Sequence, residues 1–181
     1  MLNCYFHSPW LVTMKLLRAL ALPVVLFFSS TAHSSPTTSS KEDTEALLQF
    51  VAPFAEQQLG KHGEFLPFGA GMTATGEIVA TSAGNGDETP LPADIIAMMQ
   101  EFHAGSAAAG KFRATALVYD ASVPLPSSSQ TSDAIAIALD HEDGYSVVTF
   151  LPYTLVDGKL HRGPAFTRPG TASIFKKSIM H

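Results

Sequence analysis

The feature that most constrains this chain is the tetrapeptide His141-Glu142-Asp143-Gly144, set between two apolar, β-rich runs, Asp133 to Asp140 and Tyr145 to Tyr153. The Asp-Gly step suits the backbone angles of a tight turn, and so short a link joins only antiparallel neighbours, since a parallel crossover takes about a dozen residues or more. In the first run Ala134, Ala136 and Ala138 alternate with Ile135, Ile137 and Leu139, the period of a strand. The small-residue face admits a closely packed helix, and the larger side chains serve a second apolar face. Whatever the fold is, this hairpin lies inside it.

The remaining segments build around it. Phe112 to Asp120 is a third β-rich run, and the Pro- and Ser-rich stretch Val123 to Gln130 is a loop between strands. Upstream, Phe65 to Thr73 and Glu77 to Ser82 flank Ala74-Thr75-Gly76, which predicts another hairpin. Downstream, Gly158 marks a turn before a short last strand around Arg162 to Thr167. Two helices complete the set. Ser40 with Glu42, Asp43 and Glu45 forms a helix N-terminus, and Leu47, Phe50, Val51 and Phe54 follow at helical spacing. Pro53 lies inside that pattern and predicts a kink or break, with a second short helix running on to Leu59 and ending at Gly60 or Gly63. After a loop over Gly84 to Pro90, Leu91, Ile95, Met98, Met99 and Phe102 form one apolar stripe that ends near Gly105, with the methionine pair as core filler. The element order α-β-β-α-β-β-β predicts an α+β domain: a mostly antiparallel sheet of about five strands with two main helices. That order is similar to the profilin-like and roadblock-like arrangements.

The N-terminal part reads as an address. From Met14 the chain has a basic start with Lys15 and Arg18, an apolar run from Ala19 to Phe28, and the small-residue exit Ser29 to Ser34, which is the plan of a secretory signal peptide. The run is shorter than the roughly 20 residues a bilayer span needs, and it contains Pro23. The expected organisation is an upstream extension over 1–13, a signal peptide over 14–33 cleaved after Ala32 or His33, a disordered leader over 34–40, one domain over 41–170 and a C-terminal tail over 171–181. Cys4 is the only cysteine and lies upstream of the cleavage site, so the processed chain has neither disulfide nor thiol chemistry. Loss of Lys15 and Arg18 leaves nine basic against sixteen acidic side chains, a net charge of −7. This balance disfavours nucleic acid and anionic membrane surfaces as partners, and a periplasmic or secreted location without a stable membrane anchor is expected.

Four stretches carry a family resemblance. Lys61 to Gly69 (with Gly63-Glu64-Phe65 and Pro67-Phe68-Gly69), Ala116 to Asp120, Asp133-Ala134-Ile135-Ala136 with Leu139 to Gly144, and Leu151-Pro152-Tyr153 together resemble a family of small uncharacterised bacterial proteins. The resemblance spans Ala46 to Phe166 and implies a shared fold; it implies no activity, substrate or cofactor.

Candidate chemistry is sparse. His62, His103, His141, His161 and His181 are the candidate titratable side chains near neutral pH, but no two have the spacing that places a pair on one metal, so no metal is expected. His141 is flanked by Asp140, Glu142 and Asp143, carboxylates that would raise its pKa; the plainer reading is a solvated acidic hairpin tip. Glu64 and Asp120 would form a carboxylate pair for acid–base work if the first and third strands are neighbours. Tyr153 follows Pro152 at an expected strand end, where its hydroxyl would be free for solvent or a partner. Glu64, Asp120, His141 and Tyr153 are therefore the candidate binding residues. No Gly-x-Ser-x-Gly elbow occurs, and Gly69-Ala70-Gly71 leads into strand-like residues instead of a helix, so neither a serine hydrolase nor a bound nucleotide or other cofactor is expected. The leading expectation is an exported, non-enzymatic binding or interaction module for a small ligand or protein partner. The alternatives are a hydrolase or isomerase with an unfamiliar carboxylate/His site, and an exported inhibitor or immunity-type protein.

Overall fold

A computed structural model describes residues 40–83, 91–126 and 130–175; the upstream extension, signal peptide and nearly all of the leader lie outside the described residues. Its elements are α1 (Ser40–His62), β1 (Phe68–Thr73), β2 (Ile78–Ser82), α2 (Pro92–Ala108), β3 (Phe112–Pro124), β4 (Thr131–His141), β5 (Ser146–Val156), β6 (Lys159–Arg162) and β7 (Phe166–Pro169). The strands form one seven-stranded sheet, β2-β1-β3-β4-β5-β6, with β7 also paired to β5. Every pairing is antiparallel. The α+β architecture with two helices is as expected, and the sheet has seven strands against about five because the short last segment joins it and is split in two. β6 pairs with Tyr153 to Val156 and β7 with Val147 to Phe150 along the same edge of β5. Gly163-Pro164 interrupts the segment, and its predicted centre falls on that interruption. No helix among the described residues is long and apolar enough to cross a membrane.

The helices lie on opposite faces, because strand side chains alternate. On one face α1 buries Leu47, Val51, Ala55 and Leu59 against Ala70 and Met72 of β1, Ala116 and Val118 of β3, Ile135, Ile137 and Leu139 of β4, and Tyr153 of β5. On the other, α2 buries Ile95 and Met99 against Leu117 of β3. Ala134 and Ala136, on this second face, are covered by Phe150 and Phe166 instead of a helix.

Two helix expectations are corrected. α1 runs unbroken through Pro53, with its buried i, i+4 line passing the proline. Pro53 is exposed, as is Gln49, whose carbonyl loses its helical donor on the side of the helix that is open to water. In α2 the buried line is Ile95, Met99, His103 and Ser106, while Met98 and Phe102 are about half exposed. A histidine stands where the apolar pattern had placed phenylalanine.

Two glycines set how closely the α2 face can be approached. A Cβ on Gly69 would lie 2.5 Å from the Ala116 carbonyl oxygen and 2.9 Å from His103 Cε1, and one on Gly71 would sit within the Phe112 ring. The absence of side chains here lets His103 and Phe112 press onto β1.

Candidate functional site

The α2 face of the sheet carries side chains in cross-strand rows. Thr115 pairs with Asp140 and Asp140 with Ser146, so three polar residues stand side by side on β3, β4 and β5. One step along, Leu117, Ala138 and Val148 make a parallel apolar row. Directly opposed residues of this kind have Cβ atoms about 5 Å apart, so each row is a continuous strip. Above them Ile96, Gln100 and His103 come down from α2, while Pro169, Gly170, Thr171, Ser173 and Ile174 close the opposite side. Together with Tyr119 these groups enclose a cavity of about 340 Å³, within the size range of small-molecule sites.

The closing segment is pinned by Ser146. Gly170 N–H donates to the Ser146 carbonyl at 3.0 Å, and Ala172 N–H donates to its hydroxyl oxygen at 2.9 Å. Ile174 is buried beneath it, so packing continues past Gly170.

Two residues of the cavity wall each hold a fully buried side-chain atom without a hydrogen-bond partner, His103 Nδ1 and Asp140 Oδ1. Unpartnered buried polar atoms are rare in folded proteins, because each gives up its hydration without replacement. Burial raises the Asp140 carboxyl above the usual carboxylate range, and a hydrogen bond from Ser146 offsets part of that rise. Burial pushes His103 down to about 4. Its Nε2 lies 2.9 Å from Thr81 Oγ1. That hydroxyl can donate or accept, so Nδ1 can carry either a lone pair or an N–H. Burial also raises the Tyr119 phenol. Perturbed groups gathered in a cleft are the usual physical mark of a functional site.

The residues singled out from sequence go elsewhere. Asp120 and Tyr153 meet on the α1 face, the tyrosine hydroxyl donating to Asp120 Oδ1 at 3.0 Å. Tyr153 is buried, and β5 continues past it to Val156, so the expected strand end and free hydroxyl are both corrected. Burial first, then the Asp120 carboxylate, holds its phenol well above the ordinary range. Proline at 152 is tolerated in mid-strand, and its carbonyl accepts from Gly163 N–H at 2.8 Å.

His141 is a second correction. It ends β4 with only 4% of its surface exposed, not at a solvated tip. Nδ1 accepts from Asp143 N–H at 3.0 Å, which fixes the tautomer and leaves Nε2–H to donate to Asp43 Oδ2 at 3.2 Å. Asp43, buried in the first turn of α1, also takes Arg113 through two contacts, Nη2 to Oδ1 at 2.9 Å and Nε to Oδ2 at 2.8 Å. With both ring nitrogens held inside the protein, His141 ties α1 to β4. β1 and β3 are neighbours as the carboxylate pairing required, but Glu64 precedes β1 in an exposed loop, beside a shallow concavity that also includes His62 and Phe65.

Sequence reasoning reached His103 only as one histidine among five and Asp140 only as a neighbour of His141. The detectable signal was a histidine in the buried register of α2, at i+4 from Met99, where an apolar residue belongs. No family model, curated protein or solved structure matches this chain.

Proposed function

We propose that this chain is an exported, non-enzymatic module that binds a small ligand in the cavity between α2 and the sheet. The observation that carries the proposal is a cavity of about 340 Å³ whose wall sets the apolar strip of Leu117, Ala138 and Val148 beside the polar strip of Thr115, Asp140 and Ser146. The apolar groove at Phe50, Phe54 and Phe68 is comparable in size, about 310 Å³, but no titratable side chain is among its lining residues. Export rests on the leader over 14–33 and an acidic processed chain.

The test is a fragment screen by protein-observed NMR on the purified chain, followed by the cavity-filling variant Ala138→Phe. Binders should shift the amides of Thr115, Ala138, Val148 and Ile174, and Ala138→Phe should abolish those shifts while the protein stays folded. Shifts confined to the Phe54–Phe68 groove, or unchanged in Ala138→Phe, would refute the assignment.

One observation favours a second reading, a hydrolase or isomerase: a carboxyl with raised pKa and a histidine are both among the residues of one cavity wall, the residue types general acid–base chemistry uses. Chemical conversion of a cavity-bound compound, lost in Asp140→Asn, would decide for it.

A further inference from the structure

β2 is the outer edge of the sheet, and no strand among the described residues pairs beyond it. Its sequence, Ile78-Val79-Ala80-Thr81-Ser82, contains neither charge nor proline, the usual devices that keep an open edge from pairing with another chain. Where the β1–β2 hairpin closes, Thr73 N–H donates to the Glu77 carbonyl at 2.8 Å. Alternation from that pair turns the backbone groups of Val79 and Thr81 toward β1 and those of Ile78, Ala80 and Ser82 outward.

An apolar ledge flanks this edge on each face. On the α1 side Phe50 and Phe54, one helical turn apart, are 47% and 46% exposed and share a groove with Ala80 and Ser82. On the α2 side Met98 and Phe102, also one turn apart, are 44% and 52% exposed. They stand about 200° round the helix from Ile96 and Gln100, which line the cavity. The Phe102 ring meets that of Phe112, opposite Thr73 of β1, at 6.3 Å. No charged side chain lies on β2 or at the four ledge positions.

We propose that β2 is a dimerisation edge, paired antiparallel with β2 of a second copy about a two-fold axis through Ala80. Ala80 then faces its own counterpart and Ile78 faces Ser82, so the outward N–H and carbonyl groups of all three satisfy one another. This axis stands perpendicular to the sheet, and each face continues into the same face of the other copy. Phe50 and Phe54 approach their counterparts on one side of the joined sheet, and Met98 and Phe102 do so on the other. A lone peptide strand would only carry the open edge outward, whereas two-fold pairing closes it. The uncharged edge also lets a chain of net charge −5 meet itself without setting like charges together. At roughly 200 Å² per aromatic side chain, the exposed halves of Phe50, Phe54 and Phe102 supply about 300 Å². With Met98, Val79 and the strand edge added, each copy buries about 600 Å², and the pair reaches the lower end of specific interfaces at about 1,200 Å².

Sedimentation velocity on the purified chain from about 1 to 300 μM should show monomer giving way to dimer and to nothing larger, the range suited to an interface of this size. Val79→Lys sets a charge beside the edge, and Ala80→Pro removes the outward N–H at the axis without breaking a bond to β1. Each should raise the dimer Kd by about tenfold or more while the melting temperature of the dilute protein holds. Hydrogen exchange on the wild type needs no variant to fold. The amides of Ile78, Ala80 and Ser82 should be protected at high concentration and open at low, with Val79 and Thr81 protected at both. A monomer at every concentration, with the outward amides open, would overturn the dimer and leave the edge to a different partner. Those amides protected in a monomer would show that the chain covers its own edge, which also overturns it. A dimer that survives in both folded variants would place the interface elsewhere, and association beyond two copies would refute two-fold closure. The cavity lies on the far side of α2, so ligand binding there is decided separately.

Discussion

At the scale of single residues, Asp140 and His103 respond to pH in opposite senses. Burial raises Asp140 from its ordinary 3.8, so the folded state holds that proton more tightly than the unfolded chain. The penalty for burying the charged form is absent below 3.8, grows as pH rises toward the folded-state value, and is complete above it. Asp140→Asn removes the charge and should stabilise the protein near neutral pH by about 1 kcal/mol, the pattern of a site kept for function. Urea unfolding at several pH values checks this: the gain should shrink to nothing in acid, and a loss near neutral pH would make the carboxylate structural. His103 runs the other way. Its pKa falls from 6.5 to about 4 through burial, so the unfolded state binds more protons across that interval and stability declines as the pH drops through it. The full difference corresponds to about 3 kcal/mol. His103→Gln keeps a polar group for Thr81 without a titrating one, and its unfolding free energy should change less between pH 6.5 and 4 than that of the wild type.

At the scale of elements, the backbone contact between β1 and β3 fixes how deeply α2 can sit. An alanine at 69 meets a carbonyl oxygen of β3, which cannot rotate away. Gly69→Ala should therefore destabilise by about 2 kcal/mol and displace the His103 ring, read as a melting shift together with a change in its imidazole resonances. On the other face Asp43→Ala strips Arg113 and His141 of their shared carboxylate. Because Arg113 is 22% exposed and partly hydrated, the loss should be about 2–3 kcal/mol, below the full value for a buried pair, and it should appear in urea unfolding. The elements themselves were mostly legible: both tight hairpins, both helices and their order follow from periodicity and turn residues. What local pattern could not settle was decided by tertiary exposure. Pro53 is tolerated because its face of α1 meets water, and Met98 is exposed while Met99 is buried because one residue turns a helix by about 100 degrees. The candidate site was less legible still. Asp140 and His141 are adjacent, yet alternation sends one to the α2 face and the other to the α1 face, and the sequence alone does not tell which face keeps a cavity.

At the scale of the whole molecule, the two faces of the sheet are unequally filled. The α1 face is a continuous apolar core in which Leu47, Val51, Ala55 and Leu59 have at most 1% of their surface exposed, closed at one end by the Asp43–Arg113–His141 cluster. The α2 face is held by a shorter apolar line, interrupted by a histidine, over an open volume of about 340 Å³. Burial free energy scales with apolar area removed from water, so detaching α2 exposes less of it than detaching α1. Stability should then divide along the sheet. Native-state hydrogen exchange should show amides of α1, β3 and β4 opening only with global unfolding, while those of α2 exchange through a smaller, separate opening. A ligand seated under α2 binds the closed state alone, so its addition should slow α2 exchange by a factor that grows with its concentration and leave the α1 amides following the global stability. If α1 and α2 exchange at the same free energy without ligand, the domain opens as one unit, and access to the cavity would have to come from the Gly170 to Ile174 side.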